Sequence, residues 1–195
     1  MEQWDRAAIV EWLEAHLGKK RMEHVLGTEA ECRRLARIHG ADEEQAALAG
    51  LVHDCAKNLK DAELIAAAQG YGIPMDEHFW HDPGLLHAPV GAEVARRQFG
   101  INDDAILRAV ELHTLGAQDM TSLDIILYVA DMIEPTRDFN GVQAIRKISS
   151  KDLNGTLINA LGQMFQYLSK GRRWIHPTIV ETWNGALERS SRKGK

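Results

Sequence analysis

The stretch "LAGLVHDCAK", residues 48–57, decides how the rest of the chain is read. It is mostly small and apolar, the composition of a helix packed tightly inside a protein, yet His53 and Asp54 stand side by side in its middle. A lone buried carboxylate is very costly unless it is paired or bound to a cation. The stretch therefore predicts a buried helix whose polar doublet answers to something in the interior. The longer segment "ADEEQAALAGLVHDCAK" opens with an acidic first turn after Asp42, a fair N-cap that sets the start of this helix.

Working outward, helical periodicity dominates on both sides. Residues 5–17 place Ile9, Val10, Trp12, Leu13 and Leu17 on one stripe, and 21–39 read as a second helix ended by Gly40. "KDAELIAAAQGYG" predicts a helix capped by Asp61 and stopped at Gly70 and Gly72. Further helices are expected over 85–99, 103–114, 121–133, 141–148, 151–169 and 177–188. The segment 73–84 holds Pro74 and Pro83 and predicts a loop with little regular structure. No alternating run is long enough for a strand, no repeat recurs at a fixed period, and no segment is of low complexity. The expected fold class is all-α, a bundle of about eight to ten helices. It reads as one domain over 1–195, with a core of about 19–148, a C-terminal helical layer over 151–188 and a frayed tail over 189–195.

A chain of 195 residues can bury a substantial core without staples. The net charge of −5 provides no overall basic footprint, so nucleic acid is not an expected partner, although a small phosphorylated ligand can bind at a local cationic site. Cys32 and Cys55 form no CxxC pair or zinc-type cluster, and their apolar surroundings point to a reducing cytoplasm. The N-terminal stretch lacks the apolar region of a signal peptide, and the apolar run 125–130 is too short to span a bilayer, so no membrane partner is expected. A homodimer stays open as the assembly.

The histidines sort into two groups. His16 and His39 fall near helix C-termini, where a cation suits the helix dipole, and His176 precedes Pro177 in a loop. His24 in "RMEHVLG", His53, His87 in "LLHAPVGA" and His113 in "AVELHTLGA" lie instead in apolar helical contexts. Asp131 in "ILYVADMIEP" shares the problem of Asp54. The plain alternative is a set of core histidines with each acid in a salt bridge, Asp54 to Lys57 and Asp131 to Arg137. Four imidazoles and two carboxylates exceed what salt bridges need, and a metal centre satisfies all six at once. Neighbours on a helix diverge by about 100°, so His53 and Asp54 can border one cavity. Asp54 has two oxygens and can bridge two ions while His53 binds one. Mixed imidazole and carboxylate ligands suit iron, manganese or zinc, and the absence of cysteine ligands argues against a structural zinc site.

The ordered set of a helix-borne His, a His-Asp doublet, two spaced His and a late Asp in a helical chain resembles the HD-domain metal phosphohydrolases. "KRMEHVLG", "ALAGLVHDCAK", "LLHAPVGA", "ELHTLG", "LYVADMIEPTRDFNGV" and "GRRWIHPTIVETWNGAL" are similar to the bacterial YqeK-type subfamily of symmetrical dinucleoside tetraphosphatases, over roughly 19–188. The resemblance implies cleavage of diadenosine tetraphosphate into two ADP at a two-iron centre, with manganese or another divalent metal as the substitute. By position, His24, His53, Asp54 and Asp131 would hold the first ion, and Asp54 would bridge to a second completed by His87 and His113. Two departures stand out: Ala88 replaces an expected Gly, and "HTLGAQDM" differs from the Thr-rich form of the subfamily.

The chemistry expected is attack on phosphorus by a water activated between two metals. Lys57, one turn after His53, can reach a non-bridging phosphate oxygen, and Arg137 can clamp a distal phosphate; their alternatives are a solvated lysine and a salt bridge to Asp138 or Glu134. Thr114 and Gly116 can offer a hydroxyl and backbone N–H groups to phosphate, with helix capping as the alternative. Arg21 reads equally as a surface residue. His78 and His81 could approach the second metal, and Phe79, Trp80, Phe139 and Trp174 could stack a base, although exposure or packing suits each of them. Competing functions are a nucleotidase or cyclic-nucleotide phosphodiesterase, an iron oxygenase, and a non-catalytic nucleotide-binding module.

Overall fold

The computed structural model describes residues 5–193 as eleven α-helices and one 3-10 turn, with no strand among the described residues. The first helix, α1 (Arg6–His16), starts where the Asp5 carboxylate accepts from the N–H groups of Ala7 and Ala8, and it buries Ile9 and Leu13. The long α2 (Lys19–His39) stops at Gly40, which takes the left-handed conformation. Asp42 caps α3 (Glu43–Val52) as its sequence predicts, accepting from Glu44 and Gln45 N–H. The last seven residues of α3, Ala46 to Val52, are all buried. The helix lies so close to α2 that a Cβ on Gly50 would stand 2.9 Å from the Cα of Glu29. Small residues at this crossing let two backbones approach and bring their polar side chains into one interior.

The stretch that opened the reading departs from expectation at its end. α3 closes at Val52, so His53 and Asp54 lie on the turn that follows the helix rather than in its middle. The turn is tight: Cys55, Lys57 and Leu59 N–H donate to carbonyls three residues back, at 3.1, 2.9 and 3.2 Å.

After this turn come α4 (Asp61–Tyr71), α5 (Glu77–His81) and the 3-10 turn Pro83–Leu86. The cap of α4 is Lys60, not Asp61; Glu63 reaches back to accept from Lys60 N–H at 2.7 Å. The expected loop over 73–84 contains α5, because the Asp76 carboxylate accepts from His78 and Phe79 N–H and nucleates one turn. The next helices are α6 (His87–Phe99), α7 (Asp104–Leu112), α8 (Ser122–Ile133) and α9 (Val142–Ser149), followed by α10 (Leu153–Lys170) and α11 (Pro177–Lys193). α8 is the central rod, buried continuously from Leu123 to Ala130. It packs against α2, α3, α7, α9 and α10, and α11 covers α10. The expected frayed tail is helical as far as Lys193, and 194–195 lie outside the described residues. No helix among the described residues is long and apolar enough to cross a membrane.

Candidate metal centre

Each candidate ligand comes from a different point in this packing. His24 sits on α2, His53 and Asp54 on the turn after α3, His87 at the first position of α6, His113 at the C-terminal cap of α7, and Asp131 on α8. His24, His53, Asp54, His87 and His113 are buried, and Asp131 is partly so. Asp54 faces in two directions. Its Oδ2 is 3.4 Å from His53 Nε2 and 3.6 Å from His24 Nε2, while Oδ1 is 3.5 Å from His87 Nε2 and 3.6 Å from His113 Nε2. Asp131 Oδ1 joins the first side, 3.0 Å from His24 Nε2 and 3.8 Å from His53 Nε2.

The other ring nitrogens settle how the imidazoles can behave. Nδ1 of His53 faces the Gly50 carbonyl at 2.8 Å, Nδ1 of His87 the Gly84 carbonyl at 2.6 Å, and Nδ1 of His113 the Val110 carbonyl at 2.7 Å. Nδ1 of His24 faces the Glu134 carboxylate at 3.0 Å. Oxygen acceptors require N–H on all four Nδ1 atoms, which leaves each Nε2 as the nitrogen that can turn a lone pair to a cation. These Nε2 atoms converge: His24 and His53 are 3.2 Å apart, as are His87 and His113. Imidazole nitrogens at this separation, interleaved with carboxylate oxygens, form the kind of donor set that cations take. Two compact groups meet this description, His24, His53 and Asp131 in one and His53, Asp54 and His113 in the other.

Electrostatics agree with donors ready for a cation. Burial alone would raise the pKa of Asp54, but the charge of His53 and hydrogen bonds from His113 and His53 hold it well below the usual carboxylate range. Asp131 behaves in the same way, its burial outweighed by His24, Arg137 and His53. Burial, together with neighbouring His113 and Lys57, pushes His87 down to about 3, so its ring is neutral near pH 7.

Above the donors opens a cavity of about 610 Å³, with Asp54, His87, His113 and Asp131 at its floor. Cationic side chains line its sides. Lys57 Nζ lies 3.2 Å from each ring nitrogen of His87 rather than against Asp54, and burial pushes its pKa down. Arg137 donates to both the carboxylate and the carbonyl of Asp131, the latter at 2.7 Å, so its partner is neither Asp138 nor primarily Glu134. Arg21, unresolved by sequence, donates to Asp54 Oδ2 at 2.7 Å and also lines the cavity. The Thr114 hydroxyl stands 3.1 Å from His87 Nε2.

Gly116 lies outside the cavity lining: its N–H donates to the Leu112 carbonyl at 2.7 Å, the capping alternative, and its backbone packs on Thr182. His78 and His81 also turn elsewhere. Trp174 donates to His78 Nδ1 at 3.2 Å, and His81 stacks on Trp174 with ring centroids 4.4 Å apart. Phe79 packs in the small cluster around Leu64 and Leu86, and Trp80 is exposed; of the four aromatics considered for stacking, Phe139 lines the cavity.

Two supporting contacts do not follow from the sequence, in which Glu134 figures only as an alternative salt-bridge partner of Arg137. Glu134, fully buried, accepts from His24 Nδ1 and from the Thr136 N–H, and so holds the His24 tautomer. Arg146 on α9 donates to the carbonyls of Ile133, Glu134 and Arg137 at 2.8, 2.7 and 2.9 Å, which fixes the turn that carries Arg137. The available signal for Glu134 was its place three residues after Asp131, on the same face of the helix end.

Comparison with known proteins places this geometry among relatives. The HD domain family profile matches residues 21–136. The chain is 35% identical over 183 residues to the symmetrical bis(5'-nucleosyl)-tetraphosphatase of Halalkalibacterium halodurans, covering 94% of this chain and 97% of that one. It is 36% identical over 181 residues to the protein of the same name from Bacillus subtilis, covering 92% and 96%. A crystal structure from Clostridium acetobutylicum, described as a predicted HD superfamily hydrolase involved in NAD metabolism, superposes with a TM-score of 0.93 at 35% identity over 96% of this chain and 99% of that one.

Proposed function

The chain belongs to the HD domain family, and from that premise we propose that it is a metal-dependent hydrolase that splits diadenosine tetraphosphate symmetrically into two ADP. The relatives bearing that name support the substrate, and the observation that carries the chemistry is Asp54, whose Oδ2 faces the Nε2 atoms of His53 and His24 and whose Oδ1 faces those of His87 and His113. In this reading His24, His53, Asp54 and Asp131 hold one ion, and Asp54, His87 and His113 hold the other. Iron at both positions suits imidazole and carboxylate donors, with manganese or another divalent metal as a substitute. When bound, the two ions supply an activated water and offset phosphate charge at the scissile bond.

The chain's own residues do the rest. Asp54, kept ionised by its neighbours, spans both halves of the centre. Lys57 donates to a non-bridging oxygen at the reacting phosphorus, where a half-desolvated ammonium acts more strongly than in water. Arg137 offers a planar fork to a phosphate further along the chain, and Thr114 a hydroxyl beside His87. The buried, unbridged Cys32 and Cys55 suit a reducing cytoplasm as the working compartment.

The test is metal analysis of the purified protein followed by product identification on a panel of nucleotides. ADP as the sole product from diadenosine tetraphosphate is expected. ATP together with AMP would mean asymmetric cleavage and sink the reading. An Asp54→Ala variant is expected to lose both bound metal and turnover.

A further inference from the structure

The cavity extends well beyond the metal donors. Its far wall is the second half of α10, where Gln163, Gln166, Tyr167 and Lys170 fall on one side at spacings of three and four. The first half of α10 is anchored in the core by Leu157, Ala160 and Leu161; further along, Leu168 still packs on the core while Gln166 and Tyr167 turn outward, Tyr167 being 56% exposed. Facing it is the loop before α9. There Gly141 has φ +102°, and a Cβ on it would stand 2.6 Å from Gln163 Nε2. Only glycine lets this loop approach the Gln163 amide so closely, and Asn140 lies beside it on the cavity wall.

A second observation points to a ligand. The Tyr128 hydroxyl is buried and has no hydrogen-bond partner, and Tyr128 lines the same cavity one helical turn before Asp131. A buried hydroxyl without a partner is costly. This end of the cavity thus carries the Tyr128 phenol and the carboxamides of Asn140, Gln163 and Gln166, with the Tyr167 ring at the rim and no carboxylate beyond Asp131.

We propose that this end of the cavity seats the purine of one nucleotide half, and that Gln163 makes it selective for adenine. The inference rests on the reading of the site as a nucleotide hydrolase. A carboxamide offers an acceptor and a donor side by side, which pairs with adenine N6–H and N7. Guanine presents two acceptors, O6 and N7, at the same edge, so the carboxamide oxygen would meet a lone pair. Tyr167 supplies a stacking face that is indifferent to the base. Gln163 therefore sets which base binds and Tyr167 how tightly any base binds.

Calorimetric titration of the metal-loaded protein with ADP, GDP and inorganic pyrophosphate separates these roles. Wild type is expected to bind ADP more tightly than GDP. Gln163→Met should weaken ADP binding about tenfold and remove the preference over GDP, with pyrophosphate unaffected. Tyr167→Ala, a truncation at an exposed position that leaves the core intact, should weaken ADP and GDP alike by about tenfold. Wild-type affinity for ADP in both variants would overturn the proposal, as would an equal loss of pyrophosphate binding. If wild type binds ADP selectively yet fails to release ADP from diadenosine tetraphosphate, the hydrolase reading falls and the purine seat stands.

Discussion

At the residue scale, the site depends on groups that never face the ligand. Glu134 is the sharpest case. Burial would raise its pKa, but hydrogen bonds from His24 and Thr136 hold it below the usual range, so it is an ionised acceptor facing the Nδ1–H of His24. That carboxylate fixes the ring's tautomer and raises the basicity of Nε2, the atom that points into the centre. A Glu134→Gln substitution keeps the shape, removes the charge and allows the amide to present N–H toward His24. Loss of such a supporting carboxylate commonly lowers metal affinity by about 10- to 100-fold. Equilibrium dialysis of the variant should show that loss with an unchanged helical circular dichroism spectrum; undiminished affinity would remove Glu134 from the site. Sequence made the six candidate donors legible because each stands out against its own apolar neighbours. The partners that tune them do not stand out: Glu134 meets His24 across 110 positions and Arg21 meets Asp54 across 33.

At the element scale, a latch joins the short α5 to the segment between α10 and α11. His78 and His176 rings lie 4.8 Å apart, and Trp174 closes over His78 and His81. Burial lowers the pKa of His176; Asp76 and Glu181 oppose that shift and His78 adds to it. The sign follows directly. A folded pKa below the ordinary 6.5 means that the unfolded segment takes up a proton more readily, so latch stability is complete above about pH 6.5 and declines as pH falls below it. Protection factors of the amides in Glu77–His81, exchange rates taken relative to the intrinsic rate at each pH, should fall between pH 7.5 and 5.5, and a His176→Asn variant should flatten that dependence. Unchanged protection factors over this range would refute the latch. This element was illegible in sequence because Pro74, Pro83 and the histidines read as loop, while one Asp76 carboxylate suffices to nucleate α5. α2 and α8 were legible because long periodic stretches register their buried faces directly. The end of α3 was not, since apolar composition continues through Cys55 and Ala56 after the hydrogen-bond ladder has already tightened.

At the scale of the whole molecule, His24, the His53–Asp54 turn, His87, His113 and Asp131 belong to five segments that meet at one point, and cations bound there would tie α2, α6, α7 and α8 to the exit of α3. α10 and α11 contribute no donor. Four imidazoles and two carboxylates crowd one interior point, and chelation removes the stabilisation that cations bound to the folded state supply there. Binding to the folded state alone at a free metal concentration of a hundred times Kd contributes about 2.7 kcal/mol per site. For a chain of this size that corresponds to a melting-temperature rise of roughly 5–10 °C for each ion. Calorimetric melting with and without a chelator should show at least such a drop, and Asp54→Asn, which leaves the neutral shape but removes the bridging charge, should shrink it. Hydrogen exchange then locates the effect: metal removal should deprotect α2, α6 and α7 while α11, which carries no candidate donor and packs on α10 and on the segment 115–118, keeps its protection. A loss spread evenly over all eleven helices would mean that the metal stabilises the chain as one cooperative block rather than by fastening these segments.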